Sequence, residues 1–187
     1  MMCRVGTYVA LLRGINLAGH NKVPMATLRE IMTGLGYDHV RTYIQSGNVV
    51  FGSERDDTSA LAAEAEQAIA AATGVSARVV VLAQEELAGV ARDNPYRDEP
   101  EPRRVHAIFL TGDPAPELAA AVAAAQHKAA GSDTATVIGR TIFLHTPDGY
   151  GRSELAAWLA RRSLPGGLAG TARNWATVTR LLGMCGD

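Results

Sequence analysis

The sequence predicts an α+β protein of two lobes, and three observations support this fold class. Predicted strands and helices over the first part of the chain follow the order β-α-β-β-α-β, which is that of a ferredoxin-like unit. A segment rich in proline and charge follows, and then the order β-α-β-β-α recurs and ends in an additional helix. We therefore expect an N-terminal ferredoxin-like lobe at 1–83, a short helix and proline-rich linker at 84–103, and a C-terminal α+β lobe at 104–187.

Composition limits the kind of protein and the partners that suit it. The 187 residues are 47% hydrophobic and 20% charged, which is typical of a globular protein with its own core. A formal net charge of −1 gives no general attraction to nucleic acid or to an anionic membrane, so any basic site has to be local. No apolar run approaches the roughly 18 residues needed to span a bilayer. Cys3 and Cys185 lack the spacing of a metal or redox motif, so we expect a reduced, cytoplasmic protein.

The elements of the first lobe follow from local patterns. Its first strand, predicted at 5–12, is apolar on both faces and therefore suits the centre of a sheet. Pro24 suits the first position of the next helix, because the N–H that it lacks would have no partner there. Apolar residues then recur at helical spacing until Gly36, which we expect as a left-handed cap. Two strands, a helix and a last strand complete the lobe, predicted at 39–45, 49–51, 56–74 and 75–82.

The second lobe repeats this order without the last strand. A short helix is predicted at 84–92, and the linker after it, 94–102, contains three prolines and four charged residues. Ser153 is a suitable cap for a helix, and a two-residue turn that begins with glycine joins the two hairpin strands. The predicted elements of this lobe, in order, are strand 105–110, helix 116–128, strands 134–138 and 141–145, the helix after Ser153, and a closing helix at 174–184.

The loop after the first strand carries the polar residues Arg13, Gly14, Asn16 and Lys22. Between a strand and a helix, backbone N–H groups and the helix N-terminus favour an anion, which an arginine fork and a lysine charge would hold. The alternative is a loop whose asparagine side chains bond their own backbone. The loop does not match the phosphate-binding motif G-x-x-x-x-G-K-[ST], because His20 stands where the motif has lysine.

Two further polar clusters lie at junctions between predicted elements. Gln45, Ser46 and Asn48 surround Gly47 between two predicted strands. A hairpin turn alone is sufficient to explain them, but their position makes them candidate ligand-binding residues as well. In a ferredoxin-like sheet the second strand lies outside the third, which leaves open whether this turn meets the loop after the first strand. The third cluster precedes the last helix, where Arg173 and Asn174 form either a second anion site or a simple helix cap.

The sequence contains no recognisable catalytic machinery. Its five histidines have neither metal-ligand spacing nor a carboxylate pair nearby, so we expect no metal site. No serine lies in a G-x-S-x-G motif, and neither cysteine has a base in its sequence context. The sequence therefore assigns no catalytic residue and no cofactor, and it leaves open whether the protein is an enzyme.

Several of these segments together resemble a known family. The motifs YVALLRGIN, NKVPM, TYIQSGNVVF, NPY and TARNWATVTRLL, in this order from Tyr8 to about Leu182, are similar to the bacterial domain-of-unknown-function family 1697. The resemblance implies two α+β lobes, each related to the ferredoxin-like arrangement, and its motifs fall on the three polar clusters. The chain departs from the family pattern at Ala176, where the family has asparagine after Arg-Asn-Trp. The resemblance implies no activity.

The leading functional hypothesis is a protein that binds a small anionic ligand, phosphorylated or nucleotide-like, between the two lobes. We expect Arg13 and Arg173, with Asn16, Lys22 and Asn174, to line this site, because both arginines stand beside a predicted helix N-terminus.

Two alternatives belong to other classes of function. Nucleic acid could bind on a sheet face and stack on Tyr8, Tyr43 and Phe51, although an aromatic content of 5% and the net charge argue against this alternative. A purely structural or oligomer-forming role is the other alternative, and the sequence does not indicate an oligomeric state.

Overall fold

The computed structural model describes residues 5–17, 19–161 and 163–187. The chain divides into two compact units: the first contains the residues up to Ala88 together with Leu181–Asp187, and the second contains Gly89–Arg180. Each unit holds one four-stranded antiparallel sheet. These two sheets and their helices confirm the predicted α+β class.

The sheet of the first unit has its most apolar strand near the centre, as the sequence predicts. The strand order is β2-β3-β1-β4, with every neighbouring pair antiparallel. The elements in chain order are β1 (Gly6–Arg13), α1 (Met25–Gly34), β2 (Asp38–Tyr43), β3 (Asn48–Ser53), α2 (Thr58–Thr73) and β4 (Arg78–Ala83).

One face of this sheet packs against α1 and α2. Alternate residues of β1, namely Tyr8, Ala10 and Leu12, join a buried cluster with residues of both helices. Tyr8 is 7% exposed and Phe51 of β3 is 1% exposed in this cluster. Two of the three rings named for the nucleic-acid alternative therefore lie on the face that the helices cover, where their alternation along the strands places them.

The ends of the helices follow the capping residues in the sequence. Pro24 is the N-cap of α1 and the helix begins at Met25, one residue later than predicted. Gly36 has the expected left-handed backbone, with φ of 84°. The Asp57 carboxylate caps α2 by accepting from the N–H groups of Ser59 and Ala60. Among the described residues, no helix is both long enough and apolar enough to cross a membrane.

The second unit contains most of the predicted elements at the predicted positions. Its sheet has the strand order β6-β7-β5-β8. The Ser153 hydroxyl caps its helix by accepting from the N–H of Ala156 at 2.8 Å, as predicted. The remaining elements are α3 (Gln84–Asp93), β5 (Val105–Leu110), α4 (Pro116–Lys128), β6 (Thr134–Ile138), β7 (Thr141–His145), α5 (Glu154–Leu159), β8 (Gly170–Asn174) and α6 (Trp175–Gly186).

One strand of this sheet, β8, was not predicted from the sequence. It pairs antiparallel with β5 at one edge of the sheet and is the fourth strand of this sheet. Its sequence, GTARN, lacks alternating large apolar residues, and its polar end has the composition of a helix cap. The closing helix accordingly begins at Trp175 and not at Asn174.

Gly47, between β2 and β3, is the glycine that the fold of the first unit requires most. It has φ of 78°, and a Cβ atom there would lie 2.6 Å from Ile15 Cδ1 and 2.8 Å from Leu12 Cβ. Both the left-handed backbone and the close approach of the loop after β1 therefore exclude a side chain.

We predict that Gly47→Ala destabilises the protein more than Gly74→Ala, by roughly 1–3 kcal/mol. Gly74 is a matched control, because it has φ of 71° in the same unit and nothing within 4 Å of a Cβ atom. Both variants introduce left-handed strain, but only Gly47→Ala adds a steric clash. Chemical denaturation measures the difference, and equal free energies of unfolding for the two variants would contradict this account.

Candidate functional site

The loop after β1 and the turn between β2 and β3 lie side by side, at the same end of the strands of the first sheet. Because β1 and β3 are antiparallel neighbours, the end of one strand lies beside the beginning of the other, as the pair Leu11 and Asn48 shows. The N–H of Leu12 donates to the carbonyl oxygen of Gly47 at 2.8 Å. The question that the sequence leaves open is thereby answered: the first two polar clusters meet.

The Asn16 side chain ties the loop to the turn. Its Nδ2 donates to the carbonyl oxygens of Val23 at 3.0 Å and Gln45 at 2.8 Å. Its Oδ1 accepts from the N–H of Val23 at 2.9 Å. Both hydrogens of the amide are used in these bonds, so Asn16 is placed to position the backbone around it. We call these three hydrogen bonds the Asn16 clamp.

The rest of the loop is held by its own backbone and by a second asparagine. Asn21 donates from Nδ2 to the carbonyl oxygen of Gly14 at 2.9 Å, and its own carbonyl oxygen accepts from the N–H of Asn16 at 3.0 Å. Gly14, Asn16 and Asn21 all have positive φ, a backbone region that glycine and asparagine enter at least cost. This is the arrangement that the structural interpretation of the loop predicted.

The turn between β2 and β3 is built by Asn48. This side chain is fully buried, and its Nδ2 donates to the carbonyl oxygen of Tyr43 at 2.9 Å and to the Ser46 hydroxyl at 3.0 Å. Ser46 and Gln45 are exposed. Asn48 and Ser46 therefore shape the turn, while the Gln45 side chain lies on the surface beside the loop.

The two predicted cations of this region differ in environment. Arg13 is the half-buried last residue of β1, and it lies opposite Arg78 of β4. Lys22 is exposed and stands two residues before Pro24, the N-cap of α1. The first turn of α1 contains no acidic residue, so no carboxylate of that turn offsets the partial positive charge of the helix end.

Arg173 and Asn174 belong to the second unit, at the end of β8. Asn174 caps α6, because its Oδ1 accepts from the N–H of Thr177 at 2.9 Å. Arg173 is 8% exposed, and its Nη1 donates to the carbonyl oxygen of Ala172 at 2.8 Å. Burial lowers the pKa of Arg173 to about 10, so the guanidinium is still charged at neutral pH. A common site with Arg13 stays a prediction.

The structure also contains a pair of ionisable side chains that the sequence did not indicate. His145, at the end of β7, has its Nε2 2.7 Å from Glu99 Oε2, and the Tyr96 ring stacks on the imidazole with centroids 5.3 Å apart. Glu99 lies in the predicted linker, 46 residues before His145. The sequence near the histidines did not indicate this partner, because Glu99 comes from a distant segment that has no periodic pattern.

The Glu99–His145 pair anchors the linker segment to the second sheet. The pKa of Glu99 is lowered, first by the N–H of Glu101, which donates to it, and then by His145. The buried Asn94 begins the same segment and accepts from the N–H of Tyr96 at 2.9 Å. Within the described ranges, no group of three or more His, Cys, Asp and Glu side chains is placed to hold a metal ion.

The fold and these polar junctions define an α+β protein of two units, each with a four-stranded antiparallel sheet. The family described as "protein of unknown function (DUF1697)" matches residues 5–143, and the chain belongs to this family. A solved structure, "conserved bacterial protein SP0830 from Streptococcus pneumoniae", is 26% identical with a TM-score of 0.75, covering 97% of this chain and 99% of that one. No curated protein matches the sequence. The resemblance drawn from the motifs is confirmed.

We predict that Glu99→Gln lowers the stability of the protein at pH 7 and that this loss depends on pH. A carboxyl whose pKa is lowered on folding stabilises the folded state above its ordinary pKa, here 4.5, and loses this contribution as the pH falls through the lowered value. The difference between wild type and variant should therefore be constant down to about pH 5 and shrink below it.

Thermal unfolding between pH 3 and pH 8 measures this difference. Glu101→Gln is the control, because the Glu101 side chain is exposed and only its backbone N–H bonds Glu99. A loss of stability that is the same at every pH would show that the Glu99 charge does not contribute.

Proposed function

We propose that the junction of the β1–α1 loop with the β2–β3 turn binds a small anionic ligand, phosphorylated or nucleotide-like. The observation that supports this proposal is the Asn16 clamp, which holds the segment between Arg13 and Lys22 directly ahead of α1. A loop fixed in this way loses little conformational freedom when a ligand binds.

The beginning of α1 supplies hydrogen-bond donors for such a ligand. The first N–H groups of a helix have no acceptor within the helix. In α1 the regular series of hydrogen bonds begins with the N–H of Leu28, which donates to the carbonyl oxygen of Pro24 at 2.9 Å. Among the described residues, no side chain caps this end. The N–H groups of the first turn, the charge of Lys22 and the helix dipole therefore favour the same kind of ligand.

Arg173 and Asn174 are proposed as a further anion-binding position in the second unit. On the same face of β8, two residues away, Thr171 is 2% exposed and its hydroxyl has no hydrogen-bond partner among the described residues. A ligand oxygen near β8 would satisfy this hydroxyl and lie close to a buried positive charge.

We further infer that the first unit is ferredoxin-like, which the sheet order β2-β3-β1-β4 supports. A cytoplasmic location is also proposed: Cys185 is a free thiol, while Cys3 lies outside the described residues.

Nucleic-acid binding is the weaker alternative, because the burial of Tyr8 and Phe51 removes the proposed stacking rings from solvent. A purely structural or oligomer-forming role is the other alternative.

We predict that Arg13→Ala weakens the binding of phosphorylated probes by about 10–150-fold, since a charge-assisted hydrogen bond contributes roughly 1.5–3 kcal/mol. Isothermal titration calorimetry with inorganic phosphate, pyrophosphate and AMP measures the change. Arg103→Ala is the control for net charge, because Arg103 is exposed and lies in the second unit. It should leave the affinities unchanged.

Two outcomes would contradict the proposal. If Arg13→Ala lowers the melting temperature but leaves probe binding intact, Arg13 is a structural residue. The second outcome is that none of the probes binds, while single-stranded RNA binds at nanomolar protein concentration with an affinity that depends on salt. That result would favour the nucleic-acid alternative.

A further inference from the structure

Three connections of the first unit emerge at the same end of its sheet. The last residue of β1, Arg13, lies opposite Arg78, the first residue of β4, so β4 begins where β1 ends. The pair of Leu11 and Asn48 places the beginning of β3 at the same end. We call this surface the loop end, and its connections are 14–24, 44–47 and 74–77.

The loop end carries two large apolar side chains that the fold leaves in solvent. Among the described residues, three such side chains are exposed: Leu17 by 63%, Ile44 by 50% and Val5 by 45%. The Asn16 clamp holds the first two near each other, because Asn16 precedes Leu17 and bonds the carbonyl oxygen of Gln45, which follows Ile44. Val5 stands before β1, at the opposite end of the sheet.

Neither packing nor local conformation explains the side chain of Ile44. Its backbone has φ of 49°, a left-handed region that β-branched residues enter only at a cost. Asparagine or glycine would fit this position of the turn better. An apolar side chain that is exposed and also disfavoured by its own backbone indicates a contact outside the chain.

The loop end is basic, whereas the opposite end of the sheet is acidic. None of the three connections contains Asp or Glu, and they are flanked by Arg13 and include the exposed Lys22. Glu66 approaches this end from α2, but it is paired with Arg78 at 3.4 Å. The connection 54–57, at the opposite end, contains three exposed carboxylates and one arginine. An anionic surface therefore attracts the loop end and repels the other end.

An anionic lipid surface suits this combination of charge and apolar side chains. Lipid phosphates and carboxylates attract nearby cations, and aliphatic side chains enter the boundary between headgroups and acyl chains. Single-stranded nucleic acid is bound instead by stacking on aromatic rings, whereas the exposed apolar side chains at the loop end are aliphatic.

From these observations we infer that the loop end docks on the surface of an anionic phospholipid bilayer. Leu17 and Ile44 enter the boundary between headgroups and acyl chains, and Lys22 lies among the lipid phosphates. This docking goes beyond the proposed function, because its partner is a lipid surface and not a soluble ligand. It shares Lys22 with the proposed anion site, but the two kinds of binding are measured separately.

Co-sedimentation of the wild-type protein with lipid vesicles tests the inference. Vesicles of phosphatidylcholine with phosphatidylserine should bind the protein at least about 10-fold more tightly than vesicles of phosphatidylcholine alone. Added salt should weaken this binding, because the surface charges are screened. Soluble glycerophosphoserine in excess should not release the protein, since it offers the headgroup without the acyl boundary.

Variants of the apolar side chains have a matched control. Leu17→Ser and Ile44→Asn should each weaken vesicle binding at least about 5-fold, because each removes apolar surface that leaves water on docking. Ile44→Asn suits the left-handed backbone, so it should not lower the melting temperature. Val5→Ser is the control, because Val5 is similarly exposed at the opposite end and should not affect binding.

The two lysines of the chain provide a second matched pair. Lys22→Gln should weaken binding to the anionic vesicles about 5-fold, as expected for the loss of one cation near the lipid surface. Lys128→Gln removes the only other lysine, which is exposed in the second unit, and should leave the binding unchanged.

The inference is overturned if the wild type binds neither kind of vesicle at millimolar lipid, or binds both equally. Release by glycerophosphoserine, or vesicle binding by folded Leu17→Ser and Ile44→Asn that equals the wild type, would also overturn it. So would retention by single-stranded RNA and not by vesicles.

The proposed anion site is assessed independently of this docking. Calorimetry with inorganic phosphate reports on the soluble ligand, so vesicle binding can fail while phosphate binding persists, and the reverse. Because the comparison of the two kinds of vesicle uses the wild-type protein, the inference stays testable even if a variant fails to fold.

Discussion

The three hydrogen bonds of the Asn16 side chain hold together the region on which the proposed site depends. Val23 is fully buried, and both its backbone N–H and its carbonyl oxygen are hydrogen-bonded to the Asn16 side-chain amide. Buried peptide groups without partners cost roughly 1–3 kcal/mol each, so the path of the chain into α1 depends on Asn16. The third bond, to Gln45, joins this path to the hairpin turn.

Sheet topology makes this arrangement possible. Since β1 and β3 are antiparallel neighbours, the loop that leaves β1 and the turn that enters β3 emerge at the same edge. Gly47 then allows the two segments to approach, because a side chain there would collide with Ile15 and Leu12. The loop, the turn and the beginning of α1 are thereby fixed relative to one another within the first unit, and the cations of the loop stand on a rigid frame.

Much of the fold could be predicted from the sequence because its signals are local. The helix α4 and the hairpin strands β6 and β7 have the predicted bounds, and Ser153 and Asn174 are caps as their positions indicated. Features that depend on distant residues were missed. The strand β8 is defined by pairing with β5 and not by its own composition, and the Glu99–His145 pair joins residues 46 apart. The polar positions of the loop were identified, but the clamp geometry of Asn16 required the coordinates.

The most direct test of the central claim is amide hydrogen exchange at Val23 in Asn16→Ala compared with wild type. The clamp predicts that exchange of the Val23 N–H becomes at least about 10-fold faster, since its acceptor is removed. Asn21→Ala is the matched control, because Asn21 bonds Gly14 and not Val23. Unchanged exchange at Val23 in Asn16→Ala would contradict the claim that this side chain organises the loop.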